Sequence, residues 1–135
     1  MGETRDVART VLTELGPVWA VVGLSTNRAR AAYGVAEVLR QHGKRVIPVH
    51  PRAEAVAGET GYATLAEVPE QIDVVDVFVG SARAGAIADA AIEAGARAVW
   101  FQLGVHDDAA AARVRAAGLA MVEDTCPAIE LRSMP

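Results

Sequence analysis

The chain is short of several things at once. It has one cysteine, Cys126, in 135 residues, so no intrachain disulfide can form and the chain suits a reducing compartment. Aromatic residues make up only 4% of a sequence that is 52% hydrophobic, so the interior has to be built from Ala, Val, Leu and Ile rather than from rings. There is no basic excess. A net charge of -4 argues against a general nucleic-acid binder and leaves room only for a local basic pocket. No apolar run approaches the roughly 20 residues that a membrane span requires. The charged start Met1-Gly2-Glu3-Thr4-Arg5-Asp6, followed by helically spaced Val7, Val11, Leu12 and Leu15, does not read as a signal peptide. A cytoplasmic location without membrane contact is the expectation. Repeats, low-complexity tracts and Pro/Gly-rich linkers are also missing, so residues 1–135 read as one domain, long enough to bury a core without metals.

What is present centres on Val18 to Asn27, an apolar strand that runs into Gly23-Leu24-Ser25, followed by a helix over Ala31 to Gln41. A strand, a glycine turn and a helix place backbone N–H groups where an anion can bind at a helix N-terminus. The helix puts Ala32, Val35, Ala36 and Leu39 on one face. Ahead of this unit, Glu3 to Leu15 reads as an amphipathic helix stopped by Gly16-Pro17. After it come Gly43 as a helix stop and a second strand, Val46 to Val49, in which Pro48 counts against full pairing.

Ala53 to Gly61 reads as a surface excursion, followed by a short edge strand at Tyr62-Ala63 and a helical turn over Leu65 to Val68. Strands at Val74 to Val79, Ala98 to Leu103 and Leu119 to Val122 then alternate with helices at Ala82 to Glu93 and Asp107 to Ala117. In the first of these helices Ile87, Ala90, Ala91 and Ala94 are expected to face inward, and Pro127 to Arg132 adds a terminal helical turn. The roughly 25-residue rhythm is that of βαβ units. It predicts an α/β, Rossmann-like three-layer sandwich with a mainly parallel sheet. Five main strands plus the short edge strand, counted third, give the order 3-2-1-4-5-6, with helices on both faces. The ligand crevice falls above the first and fourth strands, at the switch point.

The local residues select among nucleotides. An NAD site wants G-x-G-x-x-G after the first strand and an acid at the end of the second, but this chain has a single glycine, Gly23, and His50-Pro51-Arg52. A positive group there suits an extra ribose phosphate, as in NADP or coenzyme A. FMN would want more hydroxyls and aromatic walls, and a phospho-receiver would want clustered acids after the first strand.

The ordered set Ala20-Val21-Val22-Gly23-Leu24-Ser25, Arg30, Tyr33-Gly34-Val35-Ala36 and Val46-Ile47-Pro48-Val49-His50-Pro51 resembles the small stand-alone CoA-binding proteins. These are similar to the N-terminal domain of the succinyl-CoA synthetase α subunit. Gly58-Glu59, Tyr62, Leu65, Pro69, Val74-Val75-Asp76-Val77-Phe78, Trp100-Phe101-Gln102, Gly104, Ala117-Gly118-Leu119, Asp124 and Cys126 extend the resemblance from Val18 to Arg132.

The resemblance implies coenzyme A as the ligand. Backbone and hydroxyl groups of Gly23, Leu24 and Ser25, helped by the guanidinium of Arg30, would hold the pyrophosphate, and His50, Pro51 and Arg52 would line the adenine and the phosphorylated ribose. Val79 and Gly80 would close the other side. Three departures stand out against the family pattern. His50 replaces a hydrogen-bonding Asn with a titratable imidazole; Val79-Gly80-Ser81-Ala82 lacks an Arg and a Glu; and Asp124-Thr125-Cys126-Pro127 lacks an Arg. The last two weaken chemistry more than phosphate binding.

Other residues read more plainly. Gly34 is expected to allow close helix–strand contact, Tyr33 to pack on the loop and Trp100 to lie in the core. Asp73 sits at the strand start away from the ligand, and Asp76 is expected as a hydrogen-bonded interior acid. Asp107 suits a helix cap better than a metal site. Cys126 follows the last strand at the ligand-bearing edge, where a mixed disulfide with the CoA thiol is conceivable against an inert buried thiol. No nucleophile–base pair is legible among His42, His50 and His106. The sequence therefore reads as a CoA- or acyl-CoA-binding or sensing module without a visible catalytic centre. An NADP-linked oxidoreductase, or a partner subunit of an acyl-CoA-handling enzyme, is the alternative. A protein partner or a homodimer is compatible with the chain.

Overall fold

The computed structural model of this chain describes residues 2–134. In chain order the elements are α1 (Gly2–Glu14), β1 (Val18–Val22), α2 (Ala31–Gln41), β2 (Arg45–Val49), a 3-10 helix (Leu65–Glu67), β3 (Val74–Val77), α3 (Ser81–Glu93), β4 (Ala98–Phe101), α4 (Asp108–Ala116), β5 (Ala120–Val122) and α5 (Pro127–Ser133). The strands form one parallel sheet in the order β2-β1-β3-β4-β5.

Alternation along each strand divides the interior into two cores. Trp19, Val21, Val46, Val74, Trp100 and Val122 face α1, α2 and α5. Ala20, Val22, Val49, Val75, Val77, Val99 and Phe101 face α3, α4 and the 3-10 helix. Coverage on both faces explains why the strands read as continuous apolar runs. The Rossmann-like expectation holds in its layers and its strand order, with one reduction. The edge strand at Tyr62-Ala63 shrinks to a single parallel bridge between Val49 and Tyr62.

That bridge also accounts for Pro48. The N–H of Arg45 donates inward to Pro17 O at 2.8 Å, whereas the Pro48 carbonyl looks outward and accepts from the N–H of Tyr62 at 3.0 Å. Proline therefore sits on the outermost strand with its missing donor on the outer side, where the single Tyr62 bridge makes no demand on it.

The amino-terminal edge of the sheet is tightly closed. Gly16 has φ +114°, and a Cβ there would stand 2.4 Å from the Asp73 carboxyl carbon. Asp73 Oδ2 accepts the N–H of Val18 at 2.9 Å, and Arg97 lies 3.9 Å from the other oxygen. As expected, Asp73 serves the edge away from the crevice.

Three expectations need correction. In α3 the buried face is Ala84, Ala88 and Ala91; of the other residues expected inward, Ile87 and Ala90 are half-buried and pack against that core from its edge, and Ala94 is half-buried. The helix is so rich in alanine that periodicity defines no unique apolar face. Gly34 does not enable a close helix–strand contact, because it is exposed and a Cβ there would meet nothing within 4 Å. Asp76 is wholly buried, and neither of its carboxyl oxygens has a partner within 3.5 Å, so the Gln102 side chain acts on it only as a weak, long hydrogen-bonding neighbour.

Candidate functional site

The carboxyl ends of β1, β2 and β3 open into a cleft of about 1270 Å³. Gly23, Ser25, Arg30, His50, Pro51, Arg52, Val79 and Gly80 all line it. Leu24, expected to contribute through its backbone, places no side chain in the cleft. It is 0% exposed and belongs to the core of the α2 face, because the turn at Gly23 directs the next side chain into the interior.

Gly23 itself is required by geometry. Its φ is +106°, and a Cβ there would lie 3.0 Å from that of Phe78. Its N–H, however, is already committed to Val49 O at 2.8 Å. The loop is likewise tied to itself: Asn27 N–H donates to Ser25 Oγ at 3.2 Å and Ala29 N–H to Asn27 Oδ1 at 3.0 Å. Donors for an anion therefore come from further along. Ala31 and Ala32, in the first turn of α2, line the cleft, and first-turn N–H groups have no intrahelical acceptor.

α3 supplies a matching second wall. Gly80 caps it without a side-chain hydrogen bond, and Ala82 and Arg83 of its first turn face the cleft. Two helix N-termini thus converge on one space, each with an arginine beside it. A guanidinium at a helix N-terminus opposes the macrodipole, so Arg30 and Arg83 both gain from an anion placed between them. Among the described residues neither forms an ion pair, whereas Arg52 lies 3.5 Å from Glu54.

The rest of the lining is apolar: Leu65 and Ala66 of the 3-10 helix, Phe78, and Ala86, Ile87 and Ala90 of α3. Sequence reasoning missed this wall, and Arg83 with it. The signal is the half-apolar stripe of α3, whose Ile87 and Ala90 both pack against the core and line the cleft.

Other candidates fall outside the cleft. Cys126 is partly buried, caps α5 and packs against the α1/α2/α5 core without lining the cleft. Tyr33 packs on the loop as expected, under the guanidinium of Arg28 at 5.5 Å. Asp107 caps α4 by accepting Ala110 N–H at 3.0 Å. Ser81 Oγ meets the backbone N–H of His106 at 2.9 Å rather than its ring, so the two do not form a nucleophile–base pair. A smaller cleft of about 630 Å³ flanks β5, at the other edge of the sheet from β2, and carries His106, Glu123 and Asp124.

Asp76 and Gln102 lie on the sheet between these regions. Burial pushes the Asp76 carboxyl well above the usual carboxylate range, and Gln102 opposes that shift. The Gln102 amide nitrogen is itself buried without a partner.

Comparison with known proteins decides the family. A family model described as a CoA binding domain matches residues 17–132. The chain belongs to the CoA-binding domain family. This CoA-binding domain is 30% identical over 107 residues to the uncharacterized protein YneT of Bacillus subtilis (strain 168), covering 79% of each chain. It is similar to a hypothetical protein from Pyrococcus horikoshii OT3, with 34% identity and a TM-score of 0.88 over 95% of this chain and 89% of that one. The fold also recurs inside the dinucleotide-forming acetyl-coenzyme A synthetase 1 of Ca. Korarchaeum cryptofilum. There the identity is 19% and the TM-score 0.69, and the match covers 79% of the CoA-binding domain but 26% of the synthetase chain. Among the described residues no helix is long and apolar enough to cross a membrane.

Proposed function

We propose that this chain binds coenzyme A or an acyl-CoA in the cleft between α2, the β2 loop and α3, as a binding or sensing module without a reaction of its own. The observation that carries this reading is the convergence of Arg30, Arg52 and Arg83 on one cleft at the switch point, in a chain of the CoA-binding family. Coenzyme A presents a pyrophosphate and a ribose phosphate, and charge-assisted bonds from guanidinium groups suit both. The first turns of α2 and α3 supply backbone donors for the pyrophosphate. The β2 loop, with His50, Pro51 and Arg52, takes the phosphorylated ribose. The apolar wall of Leu65, Ala86, Ile87 and Ala90 accommodates the uncharged remainder, in keeping with the mixed lining of small-molecule sites.

A thermal-shift panel with CoA, dephospho-CoA, NADP and NAD tests the assignment. A ligand at a hundredfold excess over its Kd stabilises the fold by about 2.7 kcal/mol. CoA is expected to give the largest shift, dephospho-CoA a smaller one and NAD almost none. Equal shifts with NAD and CoA would remove the reading, and a larger shift with NADP would favour the oxidoreductase.

A further inference from the structure

The two ligand loops are joined by one side chain that neither the family pattern nor the cleft lining points to. After β2 the chain reverses sharply. His50 O accepts Ala53 N–H at 2.7 Å, His50 Nδ1 accepts Arg52 N–H at 3.1 Å, and Ala53 has φ +50°. The reversal is held from outside by Gly61, where a Cβ would stand 2.1 Å from the Glu54 carbonyl oxygen. Glu54 is thereby turned back toward the β1–α2 loop. Its Oε1 accepts both the N–H of Thr26 at 3.2 Å and its hydroxyl at 3.1 Å, and its Oε2 lies 3.5 Å from Arg52 Nε. The Thr26 hydrogen bonds, with Arg52 adding to them, hold the carboxyl below its usual range.

We propose that Glu54 is a positioning residue that sets how strongly this site distinguishes a phosphorylated from an unphosphorylated ribose. The inference rests on the CoA reading above. Arg52 is engaged through Nε, which leaves its two terminal nitrogens free to form the forked contact that phosphate oxygens favour. The other oxygen of the same carboxylate occupies both donors of Thr26. Thr26 is then unavailable to ligand, and its task is to hold Ser25 and Asn27 in the loop conformation seen. An acid beside this loop would ordinarily suit free ribose hydroxyls, as in NAD sites. Here the acid is already bonded to protein donors, so its presence does not restore a dinucleotide site. One side chain therefore couples the shape of the pyrophosphate loop to the aim of the ribose-phosphate arginine.

Calorimetric titration of CoA and dephospho-CoA into the wild type, Glu54→Gln and Glu54→Ala tests this, together with amide exchange at Thr26 in the free proteins. The wild type should prefer CoA. Glu54→Gln keeps an acceptor for Thr26 but loses the ion pair. It should leave dephospho-CoA affinity unchanged and weaken CoA roughly two- to fivefold, the range of an exposed charged pair. Glu54→Ala should weaken both ligands and speed Thr26 exchange. Tighter CoA binding by Glu54→Gln overturns the proposal, since Glu54 would then compete with the phosphate for Arg52. An unchanged CoA to dephospho-CoA ratio in both variants also overturns it. Failure of the wild type to bind either ligand removes the CoA reading and this inference together.

Discussion

The two edges of the sheet are built to opposite rules, and two aspartates three residues apart in one segment show it. Asp73, at the amino-terminal edge, accepts Val18 N–H, faces Arg97 and closes over Gly16. Asp76, wholly buried near the carboxyl end of β3, has no partner within 3.5 Å for either oxygen, and the guanidiniums of Arg30 and Arg83, which line the cleft at that edge, are also unpaired among the described residues. A satisfied polar edge stabilises the fold. An edge with unmatched polar groups gives up stability in places that ligands use. The comparison predicts that substitutions at one edge move stability alone, and that substitutions at the other move binding or even raise stability.

The largest effect is expected at Gly16. Gly16→Ala forces a side chain into a positive-φ position and against the Asp73 carboxyl, and should cost about 2–3 kcal/mol. Chemical denaturation measures the loss, and CoA affinity of the folded fraction should stay at the wild-type value. A variant as stable as the wild type would break the comparison at its firmest point. Next in size is Arg83→Ala, expected to lower CoA affinity about tenfold, or about 1.4 kcal/mol, with no change in Tm of the free protein. Calorimetry checks the first and a melting curve the second; a fall in Tm with unchanged affinity would make Arg83 a structural residue.

The smallest effect has the opposite sign. The folded state keeps the proton on Asp76 at pH values where the unfolded chain, with an ordinary Asp near ~3.9, has released it. Stability therefore falls as pH rises above the unfolded value toward the raised folded one. Asp76→Asn mimics the protonated acid and cannot ionise, so it should gain about 1 kcal/mol at pH 7. That gain should vanish as the pH approaches 4. Urea midpoints of both proteins at the two pH values decide it, and a loss of stability at pH 7 would show that the charged form is supported.

Much of this was legible from residue types. Continuous valine runs marked strands covered on both faces, and the expected helix stop at Gly43 takes positive φ, as do Gly95 after α3 and Gly118 after α4. The switch point followed from the order of the elements. His50-Pro51-Arg52 and Arg30 come together in one cleft as the sequence suggested. The rest depended on direction, which spacing does not encode. Alanines at 82, 84, 86, 88, 90 and 91 mark several faces of α3 equally, so its cleft-lining side and Arg83 went unread. The inward turn of the Leu24 side chain follows from the φ of Gly23, which residue types alone do not give. Glu54 lies 28 residues from Thr26, and only the reversal at Ala53 brings them together.

Trp19 and Trp100 have ring centroids 5.6 Å apart at 49°, and both are fully buried on the face of the sheet that packs against α1, α2 and α5. Trp100 Nε1 also donates to Thr125 O at 2.7 Å, fastening the segment that leads into α5. The chain has no other tryptophan, and neither indole lines the cleft. Intrinsic emission is thus a gauge of this buried core rather than of the cleft lining, and its unfolding transition reports ligand binding only through the stabilisation that binding confers.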